Sequence, residues 1–294
     1  MTKEQLQKIL YFVVIIACVL IYFYNPKTDK PEEKKENPNN NYLEVQFIDV
    51  GQADCILIMD NGHNMLIDAG NNKDGKLLVD YFKSLNIVSF DYVVGTHPHE
   101  DHIGGLDNVI KNFEINNILM PDVTTNLKTF EDVLNAIEKK KYQVTIPTIG
   151  DKFKLGDSEI EIIYTGTNNE DLNSSSIVIR LDYYNNSYLF TADATSESEK
   201  IMLDKNIDVD VLKVAHHGSV YSNSAEFLEK VTPEYAVIEV GANNDYYYPH
   251  IKAINRLKKY TDKIYQTSEL GTIIFKDNGT DIEISNISTN TDGD

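Results

Sequence analysis

The chain opens on an unbroken apolar run. Residues 9–24 carry no charge, with Lys3 and Lys8 ahead of them. As a helix, these sixteen residues would reach roughly 24 Å, near the short limit for a bilayer, and Lys8 could lengthen the span by snorkelling. The run predicts an N-terminal membrane anchor over 1–24, of signal-anchor type. A cleaved signal peptide is disfavoured because no A-x-A-like small-residue site follows. A lipoprotein reading rests on Ile15-Ile16-Ala17-Cys18, yet Val19 to Tyr24 stay apolar where a lipoprotein turns polar. Residues 25–41 (NPKTDKPEEKKENPNNN) then lose all periodicity and read as a polar, flexible linker.

From residue 42 two periodicities alternate. Short β-rich runs predict strands over 42–50, 54–59, 64–67, 92–95 and 115–120, with Asn61-Gly62 as a hairpin turn. Further strands are expected over 152–155, 159–164, 176–184, 187–191, 209–214, 235–240, 263–265, 272–276 and 281–284, with a turn at Asn185-Asn186. Helical spacing predicts helices over 76–85, 103–113, 130–141, 197–204, 225–231 and 251–260. The order is strands, then mixed strand and helix, twice over. It predicts an α/β (α+β) domain over 42–285 built as a four-layer αββα sandwich, followed by a disordered polar tail over 286–294.

Charge and cysteine change this picture little. The formal net charge is −19, and Arg occurs only at 180 and 256. Residues 1–41 hold six Lys and five acidic residues, so the acidity belongs to the domain. An acidic surface repels polyanions at long range and argues against a high-affinity, non-specific nucleic-acid binder. It leaves room for a nuclease, whose metal ions supply positive charge locally. Cys18 and Cys55 leave the domain one thiol and no zinc-finger spacing.

Histidine is the informative residue. Three of seven fall in His97-Pro98-His99-Glu100-Asp101-His102, at the end of a predicted strand. Imidazole nitrogen with carboxylate oxygen suits Zn²⁺, and also Mn²⁺ or Fe²⁺. A regular strand would send alternate side chains to opposite faces. A loop turning after His99 could aim His97 and His99 at one ion and Asp101 and His102 at a second. Gly104-Gly105 is expected to let the chain turn into the next helix. A lone histidine would more readily be a satisfied core residue; four ligand-type residues at this spacing are not.

The stretch Thr96 to Gly105 resembles the HxHxDH signature of the metallo-β-lactamase superfamily. The run from Phe47 through Asp49-Val50-Gly51-Gln52-Ala53-Asp54 to Ile58 resembles the opening of the hydrolase domain of ComEC-type competence proteins, here without their channel helices. Leu66 to Gly70, Thr191-Ala192-Asp193, Val211 to Ser219 with His216-His217-Gly218-Ser219, and Gly241 to His250 resemble that branch's later segments. The resemblance implies His97 and His99 on one ion, and Asp101, His102 and one of His216 or His217 on the other. His217 is preferred. Asp193 would bridge, unless it only caps the helix before which it stands. Asp68 would orient a ligand, and Ser174, Ser175, Ser219, Tyr248 and His250 would line the substrate cleft. The further metal-binding histidine usual in the superfamily is missing, because none lies between His102 and His216.

These residues imply a metal-dependent hydrolase holding two divalent ions, Zn²⁺ first and Mn²⁺ as alternative. A hydroxide of the dinuclear site is the expected nucleophile, oriented or formed by Asp101 as catalytic residue. The sequence has no G-x-S-x-G elbow, and Cys55 sits in an apolar strand. The expected substrate is a phosphodiester, with DNA favoured by the resemblance and a cell-surface or small-molecule phosphodiester favoured by the acidic surface. A non-catalytic metal- or ligand-binding module of the same fold is the remaining reading. The positive amino end predicts a single-pass protein of the cell membrane with its domain outside. No protein partner is indicated.

Overall fold

The computed structural model describes residues 35–38, 41–167 and 169–288. The expected anchor, most of the linker and residues 289–294 lie outside them. Among the described residues no helix is long and apolar enough to cross a membrane. In chain order the first half comprises β1 (Leu43–Phe47), β2 (Ile56–Asp60), β3 (His63–Ile67), α1 (Gly75–Ser84), β4 (Ser89–Val94) and α2 (Glu100–Ile103). It continues with α3 (Leu106–Asn112), β5 (Glu114–Leu119), α4 (Lys128–Lys140) and β6 (Val144–Thr145). The second half begins with β7 (Lys152–Leu155), β8 (Ser158–Tyr164), β9 (Val178–Tyr183), β10 (Asn186–Phe190), α5 (Ser196–Met202) and β11 (Val211–Lys213). It closes with α6 (Ala225–Val231), β12 (Tyr235–Ile238), α7 (Ile251–Leu257), β13 (Ile264–Gln266), α8 (Thr267–Leu270), β14 (Thr272–Asp277) and β15 (Ile282–Ile287).

These strands form two sheets. One runs β15-β14-β1-β2-β3-β4-β5-β6 and the other β13-β12-β11-β10-β9-β8-β7. The alternation of side chains along β2 shows why the sheets stack. Ile56 and Ile58 face the second sheet and pack with Ile179, Tyr188 and Phe190. Leu57, between them, faces the other way and packs with Leu78 of α1, Val109 of α3 and Val133 of α4. Phe47 and Phe190 meet across the sheet interface at 6.3 Å between ring centroids. On the far face of the second sheet, Val178, Leu189 and Leu212 pack with Met202 of α5, Phe227 of α6 and Leu257 of α7. Helices, two sheets and helices again make the four-layer αββα sandwich that the order of elements predicts.

Several boundaries differ from expectation. The helix expected over 103–113 is α3 alone, starting at Leu106, and a short helix without expectation, α2, ends at Ile103 ahead of Gly104-Gly105. Neither glycine uses a backbone that other residues avoid, with φ of −56° and −85°. Glycine is needed there for close approach. A Cβ on Gly104 would stand 2.2 Å from the Asn72 nitrogen, and one on Gly105 2.3 Å from the Ala69 carbonyl oxygen. The second hairpin turns at Tyr184-Asn185, one residue early, with Tyr184 left-handed at φ 51°. The Asn61-Gly62 turn is as expected, both residues left-handed at 50° and 83°. The domain runs past 285, because β15 carries Asn286 and Ile287 into pairing with Ile273 and Thr272. Strand β6 and helix α8 have no sequence expectation behind them, being two and four residues long.

Strands β3, β4 and β5 are parallel, as are β10, β11 and β12. Their carboxyl ends therefore lie together, and an open sheet offers its loops there as a ligand site.

Candidate metal centre

The site residues gather at strand ends, with Asp101 and His102 carried on α2 shortly after β4. Asp68 follows β3, Thr96 and His97 follow β4, Asp193 follows β10, and His216 and His217 follow β11. His97, His102, Asp193 and His217 are no more than 2% exposed, whereas the Asp101 side chain keeps 31% exposure. Asp101 is thus the ligand-type carboxylate that reaches open space.

Asp193 divides the site. Its Oδ1 lies 3.3 Å from His102 Nε2 and 3.8 Å from His217 Nε2, and that same His217 nitrogen is 3.3 Å from Asp101 Oδ2. Its Oδ2 lies 4.0 Å from His97 Nε2 and 3.6 Å from His216 Nε2. His99 joins the second side, with Nδ1 3.1 Å from His97 Nε2. The helix-cap reading of Asp193 fails, because Thr195 caps α5 through its own side chain. Two donor groups, His97 with His102 and Asp193, and Asp101 with His102 and His217, each bring their atoms within 4.8 Å of one another.

Neighbouring histidines normally point apart. His216 and His217 both reach Asp193 because both are left-handed, at φ 53° and 51°. Such backbone costs on the order of 1–3 kcal/mol per residue and persists only where the surroundings fix it. Here the His216 N–H donates to the Ala192 carbonyl at 2.9 Å, and His217 Nδ1–H donates to the Glu239 carbonyl at 2.8 Å. The Asn223 amide brackets Ala215 with two hydrogen bonds of 3.0 Å. The preference between His216 and His217 thus resolves into one histidine on each side of Asp193, with His217 beside Asp101 and His102.

The outer partners are as well ordered. Asp68 takes the Thr96 N–H at 2.9 Å, the Thr96 hydroxyl at 2.7 Å and His102 Nδ1–H at 2.7 Å. This fixes the His102 tautomer and turns Nε2 inward. The sequence reading missed a second outer carboxylate. Asp54 stands 3.2 Å from His217 Nδ1 and is ion-paired to the fully buried Lys213. The available signal was a lone Lys and a lone Asp in otherwise apolar runs, since such charges are seldom buried unless paired.

The expected substrate residues fare unevenly. The Ser175 hydroxyl is buried and returns to the Leu172 carbonyl at 2.6 Å, within its own 3-10 turn. Ser174 bonds Asp171 and Thr195 and lines a separate cleft of about 450 Å³ with Tyr164 and Glu197. Ser176, which the sequence reading passed over, is the serine at the centre, with its Oγ 3.5 Å from His97 Nδ1. Ser219 is fully buried and its Oγ accepts the Tyr221 N–H at 3.3 Å, so it braces its own turn and is not open to substrate. Tyr248 reaches the centre, its hydroxyl 3.2 Å from His216 Nε2. His250 packs edge-on against Tyr248, and its Nδ1 accepts the Val220 N–H at 3.2 Å.

Whether these residues suit metal ions can be judged from their unmet bonds. His102 Nε2, His217 Nε2 and Asp193 Oδ1 are buried and make no well-formed hydrogen bond, only the ion-pair approaches given above, though such atoms are ordinarily satisfied. Two imidazole nitrogens and a carboxylate oxygen turned on one space are the donor set of a divalent cation. Electrostatics agree. Burial opposes charge on His217, yet the Asp193 and Asp54 carboxylates push it up to about 10. His102 is likewise held well above its ordinary range, burial being outweighed by Asp193 and Asp68. Without metal both rings carry protons at neutral pH, and an ion must displace them. Metal binding is therefore expected to release protons and to weaken as pH falls, about tenfold per pH unit for each proton displaced. Calorimetric titration in buffers of different ionisation heat would show this; binding enthalpies independent of buffer would refute it.

The family description "Metallo-beta-lactamase superfamily" matches residues 48–241. Among curated proteins the chain is similar to ComE operon protein 3 of Bacillus subtilis, 27% identical over 254 residues, covering 79% of this chain and 33% of that protein. It is also similar to Recombination protein 2 of Haemophilus influenzae, 28% identical over 267 residues, covering 89% of this chain and 31% of that protein. The chain thus spans about a third of the length of these relatives. Among solved structures, the metallo-beta-lactamase fold protein YhfI from Bacillus subtilis aligns with a TM-score of 0.53 at 13% identity, covering 76% of this chain and 95% of that one. At that identity the likeness shows the fold alone.

Proposed function

The chain belongs to the metallo-beta-lactamase superfamily, and from that premise we propose that it is a two-metal phosphodiesterase. The observation that carries this reading is the position of Asp193, with His102 and His217 on one of its oxygens and His97 and His216 on the other. His97, His99 and His216 would hold one ion, and Asp101, His102 and His217 the other, with Asp193 between them. His216 then stands in for the histidine missing between His102 and Asp193. Ions bound there supply a Lewis acid for a phosphoryl oxygen and water that ionises near neutral pH. Asp101, the half-buried carboxylate that reaches open space, would accept the proton of the attacking water, and Asp68 and Asp54 keep the rings aimed.

Metal analysis separates the two sides. His216→Ala and His217→Ala should each lower the bound metal from two ions towards one, and the double variant should bind little. A His216→Ala protein that retains two ions would remove His216 from the ligand set.

The competence and recombination names of the relatives favour DNA as substrate. A small or cell-surface phosphodiester is the second reading, favoured by the net charge of −19 and by the two arginines. Arg180 is held by Asp182 and the carbonyls of Asn206 and Asp208, and Arg256 by the carbonyls of Ser222 and Asn223. Neither is free to track a phosphate backbone. The purified protein should hydrolyse bis(p-nitrophenyl) phosphate when Zn²⁺ or Mn²⁺ is supplied, and single-stranded, double-stranded and small substrates rank the readings. Metal-loaded protein inert towards every phosphodiester would favour the binding-module reading.

The same proposal places the domain outside the cytoplasmic membrane on an N-terminal anchor, from the apolar run 9–24 and the positive end before it. Protease applied to intact cells should remove the domain. A domain cut only in lysates would reverse the orientation.

A further inference from the structure

We propose that the paired rings of Tyr246 and Tyr248 form a stacking subsite for one unpaired nucleobase beside the scissile phosphodiester; this rests on the phosphodiesterase reading above. Four observations converge on it. First, a staircase of rings leads outward from the metal centre. The His216 and Tyr248 centroids are 5.5 Å apart, and Tyr246 stacks on Tyr248 at 5.5 Å with their planes 14° from parallel. Second, the outer step is open, because Tyr246 is 61% exposed although it is a large aromatic residue. Tyr247, between the two, is left-handed at φ 59° and turned out to solvent. A bulky residue in that region is a backbone outlier, the kind that collects at ligand clamps.

Third, the loop is braced. The Asn244 side chain spans it, donating to the Gly241 carbonyl at 2.9 Å and the Tyr248 carbonyl at 2.7 Å, while its Oδ1 takes the Tyr248 N–H at 2.9 Å. One end is tied to the β1–β2 loop, where the Gly241 N–H donates to Gln52 Oε1 at 3.2 Å. The other end packs on Gly218, where a Cβ would meet Pro249 at 2.5 Å. The rings are thus set in place before a ligand arrives, which lowers the ordering cost of binding.

Fourth, charge does not compete as the source of affinity. Residues 241–250 contain no Lys or Arg and one Asp. The loop itself therefore offers a nucleotide no cation, and any grip it adds beyond the metal centre comes from its rings. Aromatic side chains stack on any base, whatever the sequence, but only where the base is not already paired in a duplex. With its phosphate at the metal centre, a nucleotide would reach this rim with its flat ring, and Tyr246 offers a flat face to receive it. Tyr221 and Ile251, exposed on the adjoining segments, extend the apolar rim.

The test compares two probes with the metal-loaded protein: a dithymidine phosphodiester, and the same compound with one base replaced by hydrogen. Wild type should favour the two-base compound in kcat/KM by roughly 5- to 150-fold, the range for one base on one aromatic ring. Tyr246→Ala should collapse that ratio towards one through KM, and Tyr246→Trp should keep or raise it. Because Tyr246 is mostly exposed, neither substitution threatens the fold. Equal kcat/KM for both probes in wild type, or an undiminished ratio in Tyr246→Ala, would overturn the subsite while leaving the phosphodiesterase reading intact. Hydrolysis of neither probe, with bound metal verified, would overturn the subsite, and would remove the phosphodiesterase reading as well if bis(p-nitrophenyl) phosphate were also left intact.

Discussion

Asp193→Ala is expected to strip the protein of most of its metal and to lower turnover on the order of 10³-fold, the several kcal/mol of charge stabilisation that bound ions supply. The size follows from its position. Both carboxylate oxygens are in use, Oδ1 towards His102 and His217 and Oδ2 towards His97 and His216. Alanine therefore weakens both ions at once, by more than the roughly 10- to 100-fold that losing an outer partner costs. A smaller effect opposes this one: without Asp193 the rings of His102 and His217 lose the carboxylate that most favours their protonation, so protons compete less for those nitrogens. Elemental analysis of the purified variant is the direct check, and a metal content equal to wild type would remove Asp193 as the bridge. Loss of fold is a separate outcome, read by circular dichroism on the same sample.

The second large effect belongs to Asp101. Asp101→Asn keeps the shape of the side chain and removes its basicity. It should lower kcat on the order of 10²-fold or more, the range for a positioned acid–base group. KM should move much less, because the residues facing both sides of Asp193 remain. Burial pushes the Asp101 carboxyl up, but His217 and His102 outweigh burial and hold it at about 2. In the metal-free protein Asp101 is thus ionised at neutral pH, and a cation taking the place of the imidazole protons would keep it so, so the acid limb of the wild-type rate profile should not report its titration. Activity lost on acidification should instead follow metal release, as the imidazoles regain their protons. Hydrolysis in ¹⁸O water under single-turnover conditions tests the wider point. Label in the first-turnover product indicates direct attack by water; an unlabelled product would mean that a protein oxygen attacked, and Asp101 could not have the role assigned to it.

Much of this was legible along the chain. His97, His99, Asp101 and His102 lie within a span of six residues, so their convergence needs only a loop, and a loop after a short apolar strand is a local property. The strands and helices announce themselves by period two and period 3.6, and their order implies the four layers. Most errors at this level are boundary shifts of one to three residues, as where β4 starts at Ser89 and not at 92. The turn falls at Tyr184-Asn185 and not at Asn185-Asn186 because a left-handed Tyr184 can begin it, which side-chain preference alone does not suggest. The choice of Ser175 over Ser176 was of the same kind: one step along a 3-10 turn moves a hydroxyl from the His97 ring to the Leu172 carbonyl.

The sequence by itself determined the residue types, the four-layer class and the HxHxDH half of the centre, because each depends on residues close together in the chain. Three matters were decided only by the tertiary structure. The pairing of β1 with β14 joins residues more than 200 positions apart, such as Val45 with Phe275, and no local pattern encodes a partner so distant. The roles of His216 and His217 depend on two successive left-handed residues, held by the distant Ala192 and Glu239 carbonyls. The burial of Lys213 against Asp54 depends on β11 and the β1–β2 loop meeting beneath the centre. In each case the deciding quantity is a distance through space, between groups whose charge or hydrogen bonds are worth most once water is excluded, and that distance does not exist until the two sheets have packed.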